Sequence, residues 1–188
     1  MEQEGLSPEA ARANFFVFDK DGLVTTSRSD LPAEVMVFAR NDMPDGISLD
    51  ECSKQVPPEL ILGLSGRKGT ISESTIRSMA AAHAQPIVMP LSNPTSQAEI
   101  TPEEAYTWTD GRAIVATGSP FAPVSVGGKI LHPSQCNNMY IFPGVGLGAS
   151  VCAAETIPDS MLYQAAVALS KMTSDEELAR GSVFPAVT

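Results

Sequence analysis

Residues 86–93 read Pro86-Ile87-Val88-Met89-Pro90-Leu91-Ser92-Asn93, an apolar run of strand length that ends in two small polar residues. Two other stretches repeat this design: Glu59-Leu60-Ile61-Leu62-Gly63-Leu64-Ser65-Gly66 before it and Arg112-Ala113-Ile114-Val115-Ala116-Thr117-Gly118-Ser119 after it. A run that is apolar at successive positions is buried on both faces, as in the strands of a parallel sheet. Helical signals separate the three. Thr70-Ile71-Ser72-Glu73 has the spacing of a capping box, followed by an apolar stripe through Ile76, Met79 and Ala80. Thr101-Pro102-Glu103-Glu104 places cap, first-turn proline and capping acid in register. Alternating strand and helix predict an α/β fold with a parallel sheet, whose ligands bind outside the carboxyl ends of the strands.

Upstream, Ser7-Pro8-Glu9 predicts a short helix over residues 8–13. Phe15-Phe16-Val17-Phe18-Asp19 then reads as a further buried parallel strand ending in an acid, before Asp21-Gly22 turns the chain. In a dinucleotide-binding unit, an acid at the end of the second strand holds the ribose hydroxyls, about 20 residues after a glycine-rich turn. Asp19 suits that acid, and counting back puts the turn upstream of Met1. Asp19 equally suits the start of the turn Asp19-Lys20-Asp21-Gly22. Leu49 to Val56 reads as weakly helical.

The expected fold is therefore a partial Rossmann-type parallel sheet with flanking helices over residues 1–138, its first βα unit lying upstream. A C-terminal helical segment follows over 139–188, where the texture becomes rich in Ala and Leu. Gly144-Val145-Gly146-Leu147-Gly148-Ala149 satisfies the dinucleotide pattern formally, but no strand and acid follow it, so a tight helix-entry turn is the alternative. Gly63 to Gly69 is not a Walker loop, because Lys68 is not followed by Ser or Thr.

Composition narrows the partners. The chain has 188 residues, 43% of them hydrophobic and 18% charged, with a net charge of −10. That supplies a core and argues against disorder. An acidic chain without a Lys/Arg cluster is repelled by phosphate backbones and anionic lipid, so neither nucleic acid nor membrane is an expected partner. No apolar run approaches the roughly 20 residues of a bilayer span. The three cysteines, Cys52, Cys136 and Cys152, lack disulfide or zinc spacing and point to a reducing compartment such as the mitochondrial matrix or cytoplasm. His83 and His132 have no partner at metal-ligand spacing. The acids are scattered, which reads as a solvated face for most of them. Asn137-Asn138 stands apart: two adjacent amides suit a carboxylate or a carboxamide, or else simply turn the chain.

Four segments together resemble the malic enzyme family: Gly63-Leu64-Ser65-Gly66, the run from Pro90 to Glu99, the run from Ala116 to Val124, and the run from Asn137 to Gly148. The resemblance extends through Asp175-Glu176-Glu177-Leu178 to Phe184-Pro185. It implies an oxidoreductase that oxidises malate with NAD or NADP and a divalent metal, Mg or Mn, and decarboxylates the product to pyruvate, in an enzyme that is a homo-oligomer. By matching position, Asp19 and Lys20 would face the adenosine ribose, and Ser65 and Gly66 would line the cofactor. Ser92, Asn93, Asn137 and Asn138 would reach the nicotinamide or the malate. The same resemblance puts the Tyr/Lys acid–base pair and the metal ligands upstream, so this chain alone is expected not to turn over. Asp19 would repel a 2′-phosphate, offset by Lys20 and Arg28, which inclines the reading to NAD. Arg67-Lys68 and Cys136 stand where the family usually has small residues. The rival reading is a non-catalytic module that binds a nucleotide or a malic enzyme subunit.

Overall fold

A computed structural model describes residues 1–185. The chain forms two compact units, Met1–Pro57 and Pro58–Thr188.

The first unit is built from short elements around a small core. Helix α1 (Pro8–Arg12) starts where expected, with the Ser7 hydroxyl accepting from the Ala10 amide at 3.2 Å. The expected long strand at 15–19 is corrected: only Phe18–Asp19 (β1) is extended, and it pairs antiparallel with Gly22–Leu23 (β2). The turn between them explains the difference. The Asp19 carboxylate accepts from the Asp21 amide at 2.9 Å, and Gly22 takes a φ of +105°. The backbone groups of Phe18 and Asp19 are thereby spent on a ribbon instead of a parallel neighbour. A Cβ on Gly22 would also lie 2.9 Å from the backbone of Gly46 and Ile47, so glycine alone fits this approach. A single turn of helix, α2 (Ala33–Met36), is followed by α3 (Leu49–Gln55), which is closed at its start by a Ser48/Glu51 capping box. Phe16, Phe18 and Met43 pack on buried Leu23, Ile47 and Cys52. Arg40 covers the Phe16 ring at 3.8 Å and pairs with Asp42.

The second unit contains the alternation that the sequence predicts. Strand β3 (Leu60–Gly63) leads to α4 (Glu73–Ala82), β4 (Ile87–Pro90), α5 (Pro102–Trp108) and β5 (Ile114–Thr117). A hairpin of β6 (Val124–Val126) and β7 (Lys129–Leu131) precedes β8 (Ser134–Gln135). Four strands make one parallel sheet in the order β3-β4-β5-β8, with Leu60 opposite Ile87 and Val88 opposite Val115. This is the α/β, Rossmann-type architecture. Val88, Val115, Ile76, Met79 and Ala105 are completely buried, and each large side chain among them contributes about 1.5–3 kcal/mol. Strand β3 departs from the two-faced burial expected of it. It has a neighbour on one side only, and Leu60 and Leu62 are exposed while Ile61 and Gly63 are buried.

The cap of α4 is also shifted. Ser72 is the N-cap, accepting from Thr75, whereas the Thr70 hydroxyl donates back to the Arg67 carbonyl within the preceding loop. At the other end of α4, Arg112 donates to the carbonyls of Ala80, His83 and Ala84 and satisfies the open end of the helix. After β8 the chain leaves the sheet and continues as α6 (Phe142–Val151), α7 (Asp159–Ser170) and α8 (Asp175–Ala179), so the change of texture near 138 lies inside this unit. Gly144, Gly146 and Gly148 sit within α6, following a 3-10 turn rather than a strand, and form neither a phosphate loop nor an entry turn. Residues 186–188 of the expected 139–188 segment lie outside the described residues. No described helix is long and apolar enough to cross a membrane.

Candidate functional site

Because the four strands are parallel, all their carboxyl ends fall on one edge of the second unit, and the loops there carry the polar residues singled out above. Ser65 and Gly66 follow β3, Ser92 and Asn93 follow β4, Gly118 and Ser119 follow β5, and Asn137 and Asn138 follow β8. Hydrogen bonds join these strand ends in series. The Gly66 amide donates to Ser92 Oγ at 2.9 Å, linking the first two. The Ser119 hydroxyl donates to Asn93 Oδ1, linking the second and third. The Cys136 amide donates to the Thr117 carbonyl at 2.8 Å, and Gln135 Nε2 donates to the Gly118 carbonyl, linking the third and fourth.

The close approach of β4 and β5 at this edge requires glycine: a Cβ on Gly118 would sit 2.2 Å from the Leu91 carbonyl oxygen. Gly66 has a φ of +65°, a conformation that favours glycine, and its amide donates to Ser92. Asn137 accepts from the Met139 amide at 3.0 Å and opens the 3-10 turn Asn138–Tyr140. It therefore does fill a turn role through Oδ1, and its NH2 remains as a donor. The same holds for Asn93, whose carbonyl is engaged by Ser119. Asn137 and Asn138 are exposed and line an open, mostly apolar cavity of about 250 Å³ together with Tyr140, Leu169 and Phe184.

One residue at this edge was not legible as a site residue. Glu99, expected among the solvated acids, is 1% exposed. Its Oε1 accepts from Ser92 Oγ at 2.6 Å, the Ser65 amide at 2.7 Å, Ser65 Oγ at 2.9 Å and the Gly66 amide at 3.1 Å. Burial opposes its charge, but hydrogen bonds from Ser92, the backbone and Ser65 outweigh that and hold the carboxyl below its ordinary value. Both serines thus spend their hydroxyl hydrogens inward and present only lone pairs to anything bound at the edge. The signal in the sequence was an acid between two residues of small and apolar type, Ala98 and Ile100, both of which are buried.

In the first unit, Asp19 is exposed and grips Arg28 through both oxygens at 2.8 Å; those hydrogen bonds hold its carboxyl below the usual range. Asp30 flanks the same guanidinium, and Lys20 pairs with Asp21 on the surface. Among the described residues no group of three or more His, Cys, Asp or Glu is arranged to hold a metal ion. Burial pushes the Cys52 and Cys136 thiols up, which keeps both protonated at neutral pH.

A model of the family described as "Malic enzyme, NAD binding domain" matches residues 1–188. The chain belongs to this family. It is 47% identical over 186 residues to an NADP-dependent malic enzyme of Dictyostelium discoideum, covering 98% of this chain and 34% of that protein. It is 42% identical over 196 residues to an NAD-dependent malic enzyme of Pseudomonas aeruginosa, covering 100% of this chain and 35% of that protein. An NAD-dependent malic enzyme of Pectobacterium carotovorum is 43% identical over 193 residues, with 98% and 34% covered. The chain thus spans about a third of the length of the curated relatives it matches. The family description is that of an NAD-binding domain, and open parallel α/β sheets bind their ligands outside the carboxyl ends of the strands.

Proposed function

We propose that this malic enzyme domain binds NAD, in preference to NADP, and serves the oxidative decarboxylation of malate to pyruvate and CO2. The observation that carries the reading is the tied polar edge, where Ser65, Gly66, Ser92 and Asn93 meet and the Asn93 amide is oriented by Ser119. When bound, the nicotinamide would supply the acceptor for the hydride on C2 of malate. The protein's contribution is orientation: the NH2 groups of Asn93 and Asn137 are donors suited to the carboxamide of the cofactor or a carboxylate of malate, and Asn138 stands beside them. Ser65 and Ser92 line the cofactor as acceptors. In the first unit, Asp19 serves as the ribose acceptor and Lys20 as its neighbour. The carboxylate charge of Asp19 disfavours a 2′-phosphate, and its pairing with Arg28 makes that preference modest.

The second reading is that the polypeptide alone is a module without turnover that binds a nucleotide or a malic enzyme subunit. Assembly as a homo-oligomer is part of the proposal, resting on the apolar helices after β8. Calorimetric titration with NAD and NADP, with and without Mn and malate, tests the whole. Binding of NAD more tightly than NADP supports the reading; binding of neither overturns the cofactor role. Malate decarboxylation by the chain alone would overturn the inactive-module reading.

A further inference from the structure

We infer that Glu99 is the positioning residue of the cofactor edge, a clamp that holds the loop from Ser65 to Ile71 at both of its ends. The inference deepens the proposed function and rests on it for the identity of the ligand.

At the near end, one carboxylate oxygen collects four donors from Ser65, Gly66 and Ser92, at 2.6–3.1 Å. At the far end, the main-chain carbonyl of the same residue accepts from the Gly69 amide at 2.9 Å and the Ile71 amide at 3.4 Å. The loop between them carries Arg67 and Lys68, and its internal bonds are local: the Arg67 amide donates to Ser65 Oγ at 3.2 Å, Thr70 Oγ1 donates to the Arg67 carbonyl at 3.0 Å, and the Ser65 and Thr70 hydroxyls meet at 3.2 Å. The other carboxylate oxygen, Oε2, is buried without a hydrogen-bond partner. It lies against β3, where a Cβ on Gly63 would be 2.5 Å away. Glycine at 63 is therefore the seat of the carboxylate. A fully buried acid with one idle oxygen is costly as a source of stability alone. The arrangement makes sense as one that fixes a shape, aligning Ser92 with the Gly66 amide and the start of Asn93 beside it.

The charge matters to the clamp, because hydrogen bonds to an ionised acceptor are roughly twice as strong as neutral ones. The folded-state pKa of Glu99 is depressed, so its contribution is present above the ordinary carboxylate range and is lost as pH falls through the folded value.

The test is Glu99→Gln in the full chain, read by amide hydrogen exchange and by NAD titration. Gln keeps the shape but puts a neutral oxygen, or an NH2, before four donors. Exchange at Ser65 and Gly66 should rise about tenfold or more while Val88 and Val115 stay protected, and NAD affinity should fall about tenfold. Unchanged exchange at Ser65 and Gly66 overturns the clamp. Faster exchange with unchanged NAD affinity overturns its role in positioning the cofactor edge. If the parent chain binds no NAD, the proposed function fails, yet the exchange arm still decides whether Glu99 holds the loop. Should the variant not fold, the parent is followed as pH falls: protection at Ser65 and Gly66 that is lost before that of Val88 supports the clamp, and loss of both together overturns it.

Discussion

Within the second unit, the sheet region from β3 to β8 and the helices α6 to α8 are both rich in apolar residues, but only the sheet region buries them. Ile76, Met79, Val88 and Val115 are inaccessible, whereas neither α6 nor α7 contains a buried residue. Phe142, Leu147 and Val151 are 63%, 66% and 80% exposed. The difference lies in layering. Strands β4 and β5 each have a hydrogen-bonded neighbour on both sides and are linked by helices with a buried stripe, so their side chains find partners. Helix α6 is apolar all round, a pattern that calls for cover on more than one side, and the described chain supplies little of it. Apolar content therefore predicts that a residue needs burial, while only the arrangement of neighbouring elements decides whether it is buried.

The sharpest way to break this comparison is to add one methyl group to each region. Gly118→Ala places a Cβ 2.2 Å from the Leu91 carbonyl oxygen, against backbone that cannot yield without parting β4 from β5. The expected cost is about 3 kcal/mol or more, a large share of a domain's stability, read as a collapse of the denaturation midpoint or failure to fold. A fully stable Gly118→Ala variant would mean that the two strand ends are not packed as described.

Next in size is removal of side chain. Ile76→Ala, at a residue with no exposed surface, should cost about 2–5 kcal/mol in urea denaturation. Leu147→Ala in α6 should change stability by no more than about 0.5 kcal/mol, because that leucine is mostly in solvent already. Equal losses would show that α6 is covered, for instance by a second copy, and sedimentation at rising concentration would then reveal the association.

Most of the sheet region was legible because its signals were local and redundant. The capping box at Thr101 and Glu104 is present as read, with the Glu104 amide donating to Thr101 Oγ1 at 3.2 Å and the Glu104 carboxylate accepting from the Thr101 amide at 2.8 Å. The polar strand ends at Ser65, Ser92 and Ser119 fall on one edge because parallel pairing requires it. What escaped the sequence depends on neighbours far along the chain. Phe15 to Phe18 are apolar enough for a sheet, but the Asp19–Gly22 turn diverts them into a ribbon. Glu99 has the composition of a surface acid; its burial follows from donors seven and more than thirty residues away. Ser72 rather than Thr70 is the cap, because Ser72 is the extended residue directly before α4 and its hydroxyl accepts from the Thr75 amide, whereas Thr70 stays in the loop and donates to the Arg67 carbonyl.

The Thr101 cap supplies a middle-sized test of the same contrast. Thr101→Ala removes the acceptor for the Glu104 amide and should cost about 1 kcal/mol, because α5 packs against β5 and its start is fixed by the sheet. The equivalent Ser174→Ala at α8, whose capping box is exposed, should cost less than that by thermal melting, since fraying of an exposed five-residue helix releases little buried surface.

The smallest effect carries the opposite sign. A Cβ at Gly146, in the middle of α6, would meet nothing within 4 Å, and the residue is not among the glycines of positive φ. Alanine there suits the helix better than glycine by up to about 1 kcal/mol, through reduced freedom of the unfolded chain and higher helix propensity. Gly146→Ala should therefore leave stability unchanged or raise it slightly, and it should raise the ellipticity at 222 nm if α6 frays in solution. The same type of substitution that disrupts the sheet at Gly118 would then be harmless at Gly146, for the physical reason that one glycine faces a carbonyl and the other faces open space. A destabilising Gly146→Ala would reverse that reading: the glycine would have to be meeting a surface, and the surface could only belong to something packed on α6.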